Sequence, residues 1–169
     1  LKARGHEIVS NPPGRRLTEG EISGLLESGV TGLIAGVEPL TRSVLAGANQ
    51  LKVISRCGTG LDSVDLEAAR ELGLLVFNTP NAPSIAVAEL TIGLMLGVLR
   101  RLCEADRAIR QGAWRPLTGK LLGGKTVGLV GYGRIGKKVA HLLAGFECRV
   151  LAHDAAPSRD GAGVEHCGL

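Results

Sequence analysis

Six residues that follow an apolar run carry the strongest chemical signal in the sequence. They are Gly131-Tyr132-Gly133-Arg134-Ile135-Gly136, which have the spacing G-x-G-x-x-G and begin directly after the apolar residues 127–130. Asp154 ends the next apolar run, 18 residues (136 to 154) after the last of these glycines. A glycine-rich turn between a strand and a helix, with an acidic residue about 20 positions later, is typical of dinucleotide binding.

Each position of this motif has a physical role in such a site. Gly131 allows the tight turn, Gly133 lets the backbone approach a pyrophosphate, and Gly136 lets the helix pack closely against the strand. The unpaired N–H groups at Arg134 and Ile135 would present partial positive charge to the phosphates, and the Arg134 side chain adds a full charge.

Asp154 indicates which dinucleotide would bind. Its carboxylate can accept hydrogen bonds from both hydroxyls of the adenosine ribose and would repel a 2′-phosphate, so the sequence favours NAD over NADP. Arg159 lies nearby in the sequence and could neutralise a 2′-phosphate, so NADP remains an alternative cofactor. A ligand-free turn at the end of a strand is the structural alternative for Asp154.

A second glycine-containing turn, Arg56-Cys57-Gly58-Thr59-Gly60, follows the apolar residues 51–55. Ligands of open α/β sheets bind outside the carboxyl ends of the strands. The backbone N–H groups at Gly58 and Gly60, together with Arg56, could therefore hold an anion. A plain strand-to-helix connection would explain the same residues, but a dinucleotide motif in the same chain favours a cradle for a substrate carboxylate.

The composition excludes several classes of protein. The 169 residues include 20 Lys and Arg against 16 Asp and Glu, a net charge of +4, and only 2% are aromatic. Because single-strand binding needs aromatic platforms as well as charge, no nucleic-acid partner is expected. The most apolar stretch, residues 85–99, is too short to span a bilayer and contains Glu89, so no membrane partner is expected.

The cysteines indicate a reducing environment. They form neither C-x-x-C nor a Cys/His ligand spacing, and they are Cys57, Cys103, Cys148 and Cys167. Free thiols in a cytoplasmic protein are favoured over disulfides or a zinc site, and no metal is predicted.

Short apolar runs alternate with helical patterns along the chain. Near-continuous apolar strands separated by helices predict parallel sheets covered on both faces. The predicted strands are residues 6–10, 31–35, 51–55, 74–77, 126–130 and 149–153, and the predicted helices are residues 18–28, 42–48, 66–72, 84–111 and 135–143. Helix boundaries are indicated by Thr18 with Glu21, by Thr41, by Asp62 or Asp65, by Gly73 and by Ser84.

The motifs together resemble the NAD-dependent D-2-hydroxyacid dehydrogenases, and the resemblance runs over nearly the whole chain. It is strongest to the branch that converts 3-phosphoglycerate to 3-phosphohydroxypyruvate. It rests on residues 56–66 (RCGTGLDSVDL), 76–81 (VFNTPN), 87–91 (VAELT) and 119–136, and on Asp154.

The resemblance implies an α/β fold with a flavodoxin-like substrate lobe and the first half of a Rossmann lobe, with NAD in the cleft between them. It implies that Thr59 contacts the nicotinamide end, that Arg134 and Ile135 lie on the pyrophosphate, and that Asp154 lies on the ribose. Arg56 and the backbone at Gly58 and Gly60 would face the substrate, a small 2-hydroxy or 2-keto acid. The long helix and the Trp114 region resemble a dimerisation arm, so a homodimer or higher homo-oligomer is expected.

Two departures from the family pattern affect the expected activity. The loop at residues 35–39 has no basic residue before Arg42, where phosphoglycerate-specific members have an arginine, so glyoxylate and hydroxypyruvate remain candidate substrates. The catalytic Arg, Glu and His of the family come from the second half of the Rossmann lobe, so no catalytic residue is assigned in this segment. A non-enzymatic NAD-sensing module, like the corepressors of the same family, is the alternative.

The predicted domain boundary lies within the long helix, near Leu99. Residues 1–98 would form the substrate-binding domain without its first strand, and residues 99–169 the first half of the NAD-binding domain. The start, Leu1 to Gly5, resembles the last turn of a helix, and residues 161–169 complete no predicted element, so the sequence is expected to be a fragment of a longer protein.

Overall fold

The computed structural model describes residues 1–11, 14–156 and 163–168. The chain divides into two compact units, Leu1–Ala82 and Pro83–Leu169, which are called the first and second units below.

The first unit is a three-stranded parallel sheet with helices between the strands. The strand order is β1-β2-β3, and Ala35 of β1, Arg56 of β2 and Asn78 of β3 lie side by side at the carboxyl edge. The elements are α1 (Glu19–Glu27), β1 (Gly32–Ala35), α2 (Arg42–Gly47), β2 (Val53–Arg56), α3 (Leu66–Glu71) and β3 (Leu75–Asn78).

Side-chain caps start α1, α2 and α3, as the sequence predicts. Thr18 and Glu21 form a capping box at α1, Thr41 caps α2, and Asp65, rather than Asp62, caps α3 with a 2.8 Å bond from the Ala68 N–H. Each cap satisfies an N–H group that the helix itself leaves unpaired.

One face of the first sheet is covered and the other is exposed, which corrects the prediction of two covered faces. The helices bury Ile54 completely, together with a cluster that includes Leu26, Leu40 and Val44. On the opposite face, Ile34 and Phe77 are 66% and 57% exposed. The apolar runs therefore predicted the three strands of this sheet, but they did not reveal that the described residues of this unit place helices on one side only.

The strand predicted at residues 6–10 does not form. These residues are exposed and pair with no strand of the described chain. An apolar run stabilises a strand only when a neighbouring strand accepts its backbone hydrogen bonds, and here none does.

In the second unit, the described residues form three helices and a second parallel sheet. The strand order is β4-β5-β6, and α6 packs against α4. The elements are α4 (Ser84–Leu99), α5 (Leu102–Arg110), β4 (Thr126–Val130), α6 (Arg134–Ala144), β5 (Arg149–His153) and β6 (Val164–His166).

The long helix predicted over residues 84–111 is two helices. Arg101 adopts a left-handed φ of 56°, which ends α4 and begins α5. The carbonyl of Leu99 accepts a 2.8 Å bond from the N–H of Lys120, so a neighbouring segment replaces the next helical turn. A Cβ on Gly119 would lie 2.6 Å from that carbonyl oxygen, which makes this approach possible only for glycine.

The start of α4 also differs from the prediction. Pro83 holds the N-cap position, no side chain caps the helix, and Ser84 is buried inside its first turn. The division between the units falls at Pro83, whereas the proposed boundary falls near Leu99. All of α4 groups with the second unit because Ala88 and Ile92 are buried in the same cluster as Leu143 of α6.

The last strand was missed by the sequence pattern. Residues Val164–His166 form β6 and pair in parallel with β5, although residues 161–169 were predicted to complete no element. The strand is short, and two of its three residues are polar, so it has no apolar run to reveal it.

Candidate functional site

The glycine-rich turn has the backbone geometry that its glycines predict. Gly131 has a φ of +98°, which favours glycine, and its N–H donates a 2.8 Å bond to the carbonyl of His153 on β5. A Cβ on Gly136 would overlap the carbonyl oxygen of Gly131, so this glycine allows α6 to approach the turn. Gly133 has nothing within 4 Å of an added Cβ, so the space above it is open to a ligand.

The N-terminus of α6 presents unpaired donors beside this open space. The first backbone bond of the helix runs from the N–H of Lys137 to the carbonyl of Gly133, at 3.0 Å. The N–H groups of Arg134, Ile135 and Gly136 have no hydrogen-bond partner among the described residues. Three free N–H groups at an eleven-residue helix, with the positive end of its dipole, form an arrangement that binds phosphate.

Asp154 lies directly beside the turn and already holds two backbone groups. Its Oδ2 accepts a 2.6 Å bond from the N–H of Tyr132, and its Oδ1 accepts a 2.9 Å bond from the N–H of Ala156. The N–H of Ala156 and then that of Tyr132 lower the pKa of the carboxyl, with smaller contributions from His153 and His166. Asp154 is therefore ionised at neutral pH, and each oxygen keeps a lone pair for a ribose hydroxyl.

Sequence reasoning missed two residues of this site, Tyr132 and His166. Tyr132 occupies a variable position of the motif, yet only 4% of it is exposed. Its ring meets that of His166 edge to face, with centroids 5.2 Å apart and planes at 84°. Because β6 was not predicted, no sequence signal could have placed His166 next to the motif.

The turn after β2 is tied to the residues that end β3. The N–H of Gly58 donates a 2.8 Å bond to the hydroxyl of Thr79, and the N–H of Thr79 donates a 3.0 Å bond to the carbonyl of Gly58. The side-chain amide of Asn78 donates to the carbonyl of Thr59 at 2.8 Å. The hydroxyl of Thr59 donates to the carbonyl of Pro80 at 3.2 Å. These four bonds fix the Gly58 to Gly60 turn at the carboxyl edge of the sheet.

This geometry changes which groups of the turn could hold an anion. The N–H of Gly58 is occupied by Thr79, whereas those of Thr59 and Gly60 have no partner in the described part of the chain. The guanidinium of Arg56 folds back so that Nη1 donates to the carbonyl of Cys57, and its buried Nε has no partner. Arg56 therefore lies at the turn with its Nε–H group still able to donate a hydrogen bond.

The loop after β1 brings a carboxylate, not a base, to the same edge. Glu38 accepts a 2.8 Å bond from the N–H of Gly36. Arg42, the first basic residue after this loop, forms an ion pair with Glu71 of α3. Neither residue adds positive charge beside Arg56.

Other kinds of site find no support among the described residues. These residues contain no group of three or more His, Cys, Asp or Glu side chains that could hold a metal ion. None of the described helices combines the length and the hydropathy that a bilayer crossing requires. A shallow depression of about 680 Å³ follows one face of α5 and lies apart from both turns in the chain.

All ten predicted binding residues lie at the two turns, each group within its own unit. Gly131, Gly133, Gly136, Arg134, Ile135 and Asp154 gather at one end of the second sheet, and Arg56, Gly58, Thr59 and Gly60 at the edge of the first. His141 lies within α6 and His153 ends β5. Arg159, the residue that keeps NADP open, lies outside the described residues.

Comparisons with known proteins identify the family of the chain. The chain matches the family model described as D-isomer specific 2-hydroxyacid dehydrogenase, catalytic domain, over residues 5–164. It is 37% identical over 139 residues to a hydroxypyruvate reductase of Thermotoga maritima, covering 81% of this chain and 45% of that protein. It is 44% identical over 117 residues to a D-3-phosphoglycerate dehydrogenase of Methanocaldococcus jannaschii, covering 68% of this chain and 22% of that protein.

A solved structure shows the same fold. The NAD-dependent formate dehydrogenase from Staphylococcus aureus, in complex with NAD, superposes with a TM-score of 0.82 and 28% identity, covering 99% of this chain and 51% of that one. The chain thus spans about half of that structure, and less than half of the two curated relatives. With the family model matched over nearly its whole length, the chain belongs to the D-isomer specific 2-hydroxyacid dehydrogenases.

Proposed function

We propose that this chain is the substrate- and cofactor-binding part of an NAD-dependent oxidoreductase that acts on a D-2-hydroxy acid. The observation that carries this proposal is the second-unit site, where a glycine turn, three free N–H groups and an ionised carboxylate lie together. Bound NAD would supply the hydride acceptor for oxidation at C2 of the hydroxy acid.

At the second unit, the chain's own residues would hold the adenosine half of NAD. The N–H groups of Arg134, Ile135 and Gly136 would bind the pyrophosphate, while Gly133 leaves room for it. The carboxylate of Asp154 would accept hydrogen bonds from the ribose hydroxyls, and its negative charge would disfavour binding of a 2′-phosphate.

At the first unit, residues of the turn after β2 would bind the substrate and the nicotinamide end. The free N–H groups of Thr59 and Gly60 can donate to a carboxylate, and Arg56 adds a positive charge. Gly58, whose N–H is bonded to Thr79, would shape the turn, and Thr59 would contact the nicotinamide, as the family resemblance implies.

Two classes of candidate substrate follow, acids with and without a phosphate group. The motif resemblance and the phosphoglycerate dehydrogenase relative support 3-phosphoglycerate. Glu38 in the loop after β1, and the pairing of Arg42 with Glu71, instead favour an acid without a phosphate, such as hydroxypyruvate or glyoxylate, because neither residue would attract a dianion.

The decisive experiment has two parts. The coding sequence beyond residue 169 should encode an Arg, a Glu and a His in the family order, and the protein that contains them should consume NADH with hydroxypyruvate, glyoxylate or phosphohydroxypyruvate. The relative kcat/KM of the three acids identifies the substrate. Absence of the three residues, with NAD binding retained, would refute the dehydrogenase and favour a non-enzymatic NAD-sensing protein.

The same proposal includes self-association and a cytoplasmic location. Leu90, Leu94 and Val98 form an exposed apolar stripe on α4, and Trp114 is exposed beyond α5, which supports a homodimer or higher homo-oligomer. The four cysteines are free thiols, as in a reducing compartment. Light scattering during size-exclusion chromatography tests the oligomer, and Leu94→Lys should make it a monomer.

A further inference from the structure

Tyr132 connects three elements at the glycine turn. Its ring is almost fully buried and contacts the ring of His166 on β6 edge to face. The ammonium of Lys137, on the first turn of α6, lies 5.9 Å from the centroid of the same ring. The side chain at this variable position of the motif therefore lies against residues of β6 and α6.

The backbone of Tyr132 is equally constrained. Its N–H donates the 2.6 Å bond to Oδ2 of Asp154, and the preceding N–H, of Gly131, donates to the carbonyl of His153. Two successive N–H groups of the turn are thus bonded to the end of β5. Both the ring and the backbone of Tyr132 therefore hold the turn in place.

We propose that Tyr132 is a positioning residue for the cofactor's pyrophosphate: its buried ring, packed on His166, keeps its N–H on Asp154 and so fixes the turn before the cofactor binds. This inference rests on the proposed function, since it takes the turn as the pyrophosphate site. Tyr132 acts through the backbone of the turn and does not itself touch the ligand.

The physical basis is preorganisation. The N–H groups of α6 can bind a pyrophosphate only if the turn keeps Gly133 out of the space that the pyrophosphate occupies. A mobile turn would have to become ordered on binding, and this ordering would reduce the free energy of binding. An edge-to-face aromatic pair stabilises such an arrangement beyond the area that it buries. The ribose site depends less on the ring, because Asp154 keeps its second bond, to the N–H of Ala156, without it.

The phenol hydroxyl offers a matched control. It makes no hydrogen bond to any residue in the described ranges, so Tyr132→Phe keeps the ring and its contacts. Tyr132→Leu keeps an apolar side chain but removes the edge-to-face pair. His166→Leu removes the same pair from the other side and leaves Tyr132 in place.

The test compares two ligands on the full chain by calorimetric titration. ADP-ribose carries the pyrophosphate, whereas adenosine carries only the ribose and the base. We expect Tyr132→Leu and His166→Leu to weaken ADP-ribose binding by about three- to tenfold, the range that an aromatic pair supplies, with adenosine unchanged. Tyr132→Phe should bind both ligands like the wild type. Hydrogen exchange at the amide of residue 132 should accelerate in the Leu variants without any ligand.

The outcomes separate this inference from the proposed function. A wild-type chain that binds neither ligand would refute the proposed function and this inference with it. Binding by the wild type, with both ligands weakened equally or neither weakened in the Leu variants, would overturn only the positioning role. If Tyr132→Leu does not fold, as thermal unfolding will show, His166→Leu decides.

Discussion

The backbone N–H of Tyr132 lies 2.6 Å from Oδ2 of Asp154, although 22 residues separate them in the chain. The bond joins the glycine turn to the end of β5 without any ligand. Asp154 thus stabilises the turn, in addition to the ribose binding that its position implies. A substitution at this residue will change both, and the experiments must distinguish them.

Replacement of Asp154 by alanine is expected to weaken NAD binding by about tenfold or more, since charge-assisted hydrogen bonds to the ribose are lost. NADP binding should fall less or improve, because the charge that opposes the 2′-phosphate is gone. The melting temperature should also fall, since the N–H groups of Tyr132 and Ala156 lose their acceptor. Calorimetric titration with both dinucleotides measures the first two effects.

Asp154→Asn is the control for charge. It removes the negative charge and retains one oxygen acceptor, so it should shift the preference towards NADP with a smaller loss of stability than the alanine variant. An unchanged ratio of NAD to NADP affinity in both variants would show that Asp154 does not face the ribose.

Gly133 and Gly136 form a matched pair for the pyrophosphate site. Gly133→Ala should fold normally, because nothing lies within 4 Å of the added Cβ and the φ of −79° suits any residue. It should nevertheless weaken NAD binding by at least about tenfold, since the methyl group would fill the path of the pyrophosphate. Calorimetry and thermal unfolding are measured on the same sample.

Gly136→Ala should lower the stability of the fold. Its Cβ would meet the carbonyl oxygen of Gly131, a backbone atom that cannot turn away, so we expect a loss of about 1–3 kcal/mol in the free energy of unfolding. If Gly133→Ala bound NAD normally, the pyrophosphate would have to lie elsewhere.

Much of this site could be predicted because its signals are local. The positive φ at Gly131 favours glycine and the close approach at Gly136 requires it, so the residue type itself reports the geometry. The caps at Thr18 and Asp65 are equally local, since each bond spans three residues. Spacing along the chain therefore sufficed for them.

The features that could not be predicted depend on distant partners. The break at Arg101 is accompanied by a bond between Lys120 and Leu99, and strand β6 exists because β5 offers it a free edge. Residues 6–10 show the converse, an apolar run without a partner strand. No window of sequence contains these relationships, so helix pattern and strand pattern alone gave the wrong elements there.

Glu21 should make the first unit sensitive to acid. The guanidinium of Arg15, and then the backbone and hydroxyl of Thr18, lower the pKa of this carboxyl to about 2. Because the pKa is lower in the folded chain than in the unfolded one, the stabilisation is present above the ordinary carboxyl pKa of 4.5 and is lost as the pH falls towards 2.

The measurement is a comparison of wild type with Glu21→Gln between neutral pH and pH of about 2, where the carboxylate becomes protonated. The difference in free energy of unfolding should be largest at neutral pH and shrink towards the acid end. Arg15→Ala should raise the pKa of Glu21, followed by NMR titration of its side chain. A difference that is independent of pH would contradict the ionic contribution.

Glu147 offers a stabilising substitution that does not involve either turn. Its φ of 55° is left-handed, a conformation that costs a residue with a Cβ about 1–2 kcal/mol. Glycine removes this cost but loses about 0.5–1 kcal/mol through the entropy of the unfolded chain, so Glu147→Gly should raise the free energy of unfolding by up to about 1.5 kcal/mol. Chemical denaturation of the chain measures the gain.

Arg101→Gly is the matched comparison, because Arg101 has nearly the same φ, 56°. Its side chain, however, donates two bonds to the carboxylate of Glu104, at 2.8 and 2.9 Å, and glycine would lose both. We therefore expect a smaller gain than at residue 147, or none. Equal gains at the two positions would mean that the Arg101–Glu104 pair contributes nothing to the start of α5, whereas a loss at residue 147 would show that its backbone is not strained.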